Sequence, residues 1–241
     1  MNGVTLFHGE KGGVGKSTAC MVYADYRLRN GENPMIIDGD TCNPDVARMF
    51  QSRYKSVYNM SLRWEDEWYN LSGIAAKNPK KEIIVSLPAG AEDLDVGMLE
   101  KELAAQNLPL TVYFLMNRQR DSVKFITELF YNVSPECFIV VKNMCFARHE
   151  NSFVRFDESH AAHFAKSNNV PIIALPNVNE LALDRTLDFE LPFHQVEHTD
   201  PRNKIRIDQW LNKAQQVLLE PMEQREAKIK AKKEVGIAGA A

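Results

Sequence analysis

The chain has 241 residues, 44% of them hydrophobic, with a formal net charge of −3 and four cysteines. This is enough apolar material to give one α/β domain a real core, and the charge balance gives no overall sign of nucleic-acid binding. No run reaches the roughly 18 apolar residues of a membrane span, and Cys20, Cys42, Cys137 and Cys145 fall in no C-x-x-C spacing, which argues against a zinc site, an iron–sulfur cluster or a disulfide framework.

Val4 to Phe7 reads as a short buried strand, and Ser17 to Asn30 carries helical apolar spacing that Gly31 ends. Between them lies Gly9-Glu10-Lys11-Gly12-Gly13-Val14-Gly15-Lys16-Ser17-Thr18. The glycines let the backbone take positive φ and wrap its N–H groups around an anion, at a helix N-terminus where the dipole favours negative charge. In such a loop Lys16 reaches the β- and γ-phosphates, the Ser17 hydroxyl can join a magnesium shell, and Thr18 is a second nearby hydroxyl. The pattern implies a bound nucleotide.

The next strand, Pro34 to Asp38, runs into Asp38-Gly39-Asp40, two carboxylates that can orient a magnesium-bound or attacking water, or else form an ordinary turn. Asn43-Pro44-Asp45 looks like a cap for a short helix, Val46 to Phe50. Trp64 and Trp68 are four apart and would share a helix face, with core packing favoured over a partner anchor. Further strands are expected at Glu82 to Leu87, Leu110 to Met116, Cys137 to Lys142 and Val170 to Leu175. That rhythm predicts a doubly wound, mostly parallel sheet with helices on both faces, and phosphate at the strands' carboxyl ends. Residues 1–220 are expected to form the single domain, and 221–241 a charged, flexible tail with too few large apolar residues to hold a bilayer well. Local basic clusters at Lys77, Lys80 and Lys81, at Arg118, Arg120 and Lys124, and at Arg202, Lys204 and Arg206 could each make a phosphate-binding patch or a solvated face.

The run from Lys11 to Ser17 matches K-G-G-x-G-K-[ST], with Glu10 where the general phosphate-loop pattern has glycine. It resembles the deviant loop of the ParA/MinD ATPases. The resemblance implies the P-loop NTPase fold, ATP and Mg2+ as cofactors, and an ATP-sandwiched homodimer in which Lys11 acts in trans on the partner's nucleotide. It implies that Gly12, Gly13, Val14, Gly15, Lys16, Ser17 and Thr18 bind the phosphates and that Asp40 positions the attacking water. Ser17 and Asp38 would then serve the metal. Asn143 would read adenine, with Pro176 and Asn177 contributing backbone contacts or a lid, although each could equally be a turn former.

One departure concerns the strand ending Val85-Ser86-Leu87-Pro88-Ala89-Gly90, where the family pattern has Asp at the Ser86 position. A hydroxyl holds a metal-bound water less strongly than a carboxylate, and Asp93 or Asp95 could compensate. The expected function is a slow, cytoplasmic ParA-like ATPase whose nucleotide state controls association with DNA, without sequence preference, or with a cargo or adaptor protein. Plasmid partition, positioning and conjugative transfer are the candidate settings, and a membrane role is disfavoured. A nucleotide-binding regulator with little or no hydrolysis, or a metabolic enzyme or carrier on the same scaffold, is the alternative.

Overall fold

The computed structural model describes residues 2–9, 11–90, 95–147 and 149–238, with backbone only at 226 and 228–238. The elements in chain order are β1 (Gly3–His8), α1 (Lys16–Arg29), β2 (Met35–Asp38), α2 (Asp45–Phe50), β3 (Val57–Asn59), α3 (Glu65–Lys77) and β4 (Glu82–Ser86). There follow α4 (Val96–Ala105), β5 (Leu110–Met116), α5 (Arg120–Asn132), β6 (Phe138–Asn143), α6 (Val154–Asp157), α7 (His160–Ser167), β7 (Ile172–Leu175), α8 (Glu180–Leu187) and α9 (Pro201–Ala238).

All seven strands form one sheet in the order β3-β2-β4-β1-β5-β6-β7, and every pairing is parallel. The doubly wound fold read from the apolar runs is the one found. Alternation along each strand divides the core into two layers. Leu110, Val112, Phe114 and Met116 of β5 face one layer with Val4, Leu6, Ile83 and Val85, under α3, α4, α5 and α7. Tyr113 and Leu115 face the other with Phe7 and Ile84, under α1, α2, α8 and α9. Phe7 and Tyr113 stack with centroids 4.9 Å apart, fixing β1 against β5 beneath α1.

Strand β3 has no counterpart in the sequence reading. It is three residues long, half-buried to exposed, and held only by β2, so it carries no apolar run to find. The tryptophan pair also separates. Trp68 is buried on α3, whereas Trp64 is 72% exposed because it precedes the helix with extended backbone (φ −122°, ψ 154°) and does not share the helical face. The tail boundary expected at 220/221 falls inside α9, whose Leu218, Leu219 and Met222 pack on the sheet. Glu10 and Asp93 lie outside the described residues.

Candidate functional site

The loop from Gly9 to Gly15 joins the end of central strand β1 to α1, and its shape depends on glycine at particular points. Gly13 and Gly15 have φ of 77° and 97°. A Cβ on Gly15 would also lie 2.3 Å from the Asn143 amide nitrogen, and one on Gly9 would lie 2.6 Å from the Leu115 carbonyl. Gly13 faces open space, where a Cβ would meet nothing within 4 Å. Gly15 caps α1 in the left-handed conformation with no side-chain cap and no acid in the first turn, so the first amides of the helix remain available to an anion.

Lys16 is buried at the foot of this loop. Its ammonium donates to the carbonyls of Lys11 (2.9 Å) and Gly9 (3.2 Å). Burial lowers its pKa from 10.5 to about 8, and Asp40 pulls in the other direction. Two neutral carbonyls thus stand where phosphate oxygens would satisfy the charge more fully. Ser17 and Thr18 are half-buried beside it, and the exposed Gly12 lies near the Pro88-Ala89-Gly90 turn, with a Cβ there 3.7 Å from that of Ala89.

The two aspartates after β2 have different environments. Asp38 is 1% exposed; its Oδ2 accepts the N–H groups of Val46 (2.9 Å) and Ala47 (3.0 Å), and its Oδ1 that of Asp40 (3.1 Å). It therefore ties the loop to the start of α2, and burial raises its pKa against those bonds. Asp40 is more open. Its Oδ1 organises the loop by accepting from Cys42 N and Asn43 N, and Arg63 pairs with it at 3.6 Å. Ser86 sits beside Asp38 in the β2–β4 register and is 1% exposed. Gly39 allows this close approach, since a Cβ there would lie 2.9 Å from the Ser86 carbonyl. Among the described residues no cluster of three or more His, Cys, Asp or Glu is placed to hold a metal. Ser17 and Asp40 are half-buried, whereas Asp38 is buried and accepts three backbone N–H groups.

Lys11 points away from its own loop and pairs with Asp121 at the start of α5, with Gln119 at 3.5 Å. Asn143, at the end of β6, is 3% exposed. Its amide donates to the Val14 carbonyl (2.8 Å) and its Oδ1 accepts from Cys145 N (3.0 Å), so the side chain braces the phosphate loop.

That brace also joins the loop to a cavity of about 850 Å3. Met144, Phe146 and Pro176 line its apolar part and Arg118, His149 and Asn177 its polar part. Trp210 of α9 donates to the Pro176 carbonyl (3.0 Å), and outside the lining Lys142 ties β6 to α6 through Asp157 (2.6 Å) and lies over the rings of Phe153 and Phe156. The structure thus brings Pro176 and Asn177 to one cavity together with Met144 and Phe146. Those two have no signal in the sequence because the wall is made by irregular loops. Of the basic clusters, Arg118 reaches this cavity, while Arg202 and Lys204 are paired with Asp200 and Asp208.

No family model matches the chain. Protein MobD of Acidithiobacillus ferrooxidans is 25% identical over 220 residues, covering 89% of this chain and 96% of that protein. Among solved structures, the cell division ATPase MinD of Pyrococcus furiosus superimposes with a TM-score of 0.53 at 14% identity, over 93% of this chain and 99% of that one. The chain has the MinD/ParA fold. The septum site-determining protein MinD of Pyrococcus horikoshii, solved with Mg-ADP, shares the MinD/ParA fold at a TM-score of 0.51 and 13% identity, over 92% and 99% of the two chains. Sheet order and the glycine loop that follows central strand β1 agree with that fold.

Proposed function

We propose that the protein is a ParA/MinD-type nucleotide switch that binds Mg-ATP at the β1–α1 loop and uses the bound state to control self-association. The observation that carries this reading is Lys16, a buried ammonium beneath a glycine cradle, satisfied by two backbone carbonyls and facing Asp40. Bound there, Mg-ATP would supply the reactive γ-phosphorus and a cation to offset its charge. The chain's own part is to hold the phosphates with Lys16, the loop amides and the α1 N-terminus, to offer the Ser17 hydroxyl to the metal, and to orient water with Asp40. Asn143 keeps the loop in shape, and the cavity of Met144, Phe146, Pro176 and Asn177 would take the base. Lys11 would leave Asp121 and complete the site of a second copy, giving a homodimer with nucleotide at its interface. Nucleotide-dependent binding of DNA or an adaptor in the cytoplasm, in plasmid partition, positioning or conjugative transfer, is the setting that fits this switch.

Ser86 supports a second reading, a switch that binds ATP and hydrolyses it little or not at all. Phosphate release from Mg-ATP, with and without nonspecific duplex DNA, separates the two, with Lys16→Ala as the control. Lys16-dependent turnover that DNA stimulates supports the ATPase. Lys16-dependent binding without turnover supports the silent switch, and absence of Lys16-dependent binding overturns both.

A further inference from the structure

Next to the cavity at the end of β6 lies another, of about 600 Å3, between the turn that starts α5 and the start of α6. The two share Arg118 and Phe146, and the second adds Asn117, Val154 and Arg155. Asn117 follows β5 and is 8% exposed. Its Oδ1 accepts the Gln119 N–H (2.8 Å) and the Ser122 hydroxyl (3.1 Å). A backbone N–H can only donate, so these bonds fix which end of the amide is which. Nδ2 is then a donor without a partner among the described residues, on a side chain more than nine-tenths buried that lines the cavity.

Two guanidiniums line the same cavity. Arg155 donates to the Arg118 carbonyl (3.3 Å), and among the described residues neither arginine forms an ion pair. No described Asp or Glu lines this cavity or its neighbour. Asp121 and Asp157, in the first turns of α5 and α6, pair with Lys11 and Lys142, and Glu150 is exposed and outside the lining. Donors on three residues, two of them cationic, with no negative charge in the lining, match an oxyanion. The space is of small-molecule size, and its other wall is the half-buried Phe146 and the half-exposed Val154. We propose that this cavity binds a phosphate monoester with an aromatic or apolar substituent, its oxygens held by Asn117, Arg118 and Arg155 and its substituent against Phe146 and Val154. An uncharged ligand would leave the donors without a partner, and a cation would be repelled.

The test is calorimetric titration of the full chain with phenyl phosphate, inorganic phosphate, benzoate and benzyltrimethylammonium at about pH 8, where the ester is a dianion. Phenyl phosphate is expected to bind saturably, with inorganic phosphate and benzoate at least about tenfold weaker and the cation not binding. Arg118→Ala and Arg155→Ala should each weaken phenyl phosphate about tenfold. Both arginines are exposed, so these variants should keep the wild-type urea midpoint, and a loss of binding is then not a loss of fold. Asn117→Asp retains an oxygen for Gln119 and Ser122 but sets a carboxylate oxygen in place of the donor, and should abolish binding. Lys16→Ala separates this site from the phosphate loop, and ester binding here should survive it. Absence of saturable binding, equal affinity for inorganic phosphate or benzoate, wild-type binding by both arginine variants, or a signal that Lys16→Ala removes and the arginine variants keep would each overturn the proposal. The site does not rest on the nucleotide reading, and either can fail alone.

Discussion

Lys16 holds its charge at a cost that a phosphate would relieve, so Lys16→Ala is expected to lower Mg-ATP affinity by about 100-fold, read by titration with a fluorescent nucleotide. Ser86→Asp restores a carboxylate beside the buried Asp38. It should destabilise the apo chain by about 1–3 kcal/mol through like-charge repulsion and desolvation, and raise Mg-dependent turnover. Unchanged turnover would show that the missing carboxylate does not limit the reaction. His8 carries a pH signature of its own. It is buried between Phe114 and Phe125, accepts the Gly9 N–H at Nδ1, and has no partner for Nε2 among the described residues; burial, with Lys16 adding to it, lowers its pKa from 6.5 to about 3. Between those values the unfolded chain binds the extra proton. Stability is therefore complete above about 6.5 and falls as pH drops towards 3, by at most roughly 1.4 kcal/mol per unit. Urea midpoints from pH 7.5 to 4.5 should fall less steeply in His8→Leu, and parallel slopes would rule His8 out. The phosphate-loop residues were legible because glycine spacing has few other uses. Trp64 was not, since spacing alone does not say where a helix begins.

At the level of elements, the long apolar runs of β1, β2, β4, β5, β6 and β7 showed in the sequence because strands covered on both faces need nearly continuous hydrophobicity. The walls of the cavity beside the loop did not show. The Pro176 side is held by a contact from a distant element, Trp210 of α9, and no local pattern announces such a pairing. Asn143 is the contact that couples β6 to the phosphate loop. Asn143→Ala leaves the Val14 carbonyl and Cys145 N–H without their partner and should cost about 1–2 kcal/mol in urea unfolding while also weakening nucleotide binding. A stability loss without any change in affinity would make Asn143 a scaffold residue alone. Composition changes near Pro221, and α9 runs through that position from Pro201 to Ala238.

For the molecule as a whole, the pairing of Lys11 with Asp121 opposes its proposed reach into a second copy. Asp121→Ala is expected to raise the ATP-dependent dimer fraction in light scattering, and Lys11→Ala to remove it; a dimer fraction indifferent to Asp121 would discard the restraint. The sheet order has a consequence for how the chain comes to life on the ribosome. Strand β1 is made before both of its partners, Glu82 to Ser86 on one side and Leu110 to Phe114 on the other. The phosphate loop therefore hangs from a strand with no neighbour until β4 is made and with only one until β5 is made. A nascent chain stalled before β5 should ignore ATP despite displaying the whole motif, because the strand that carries the loop then lacks its second neighbour.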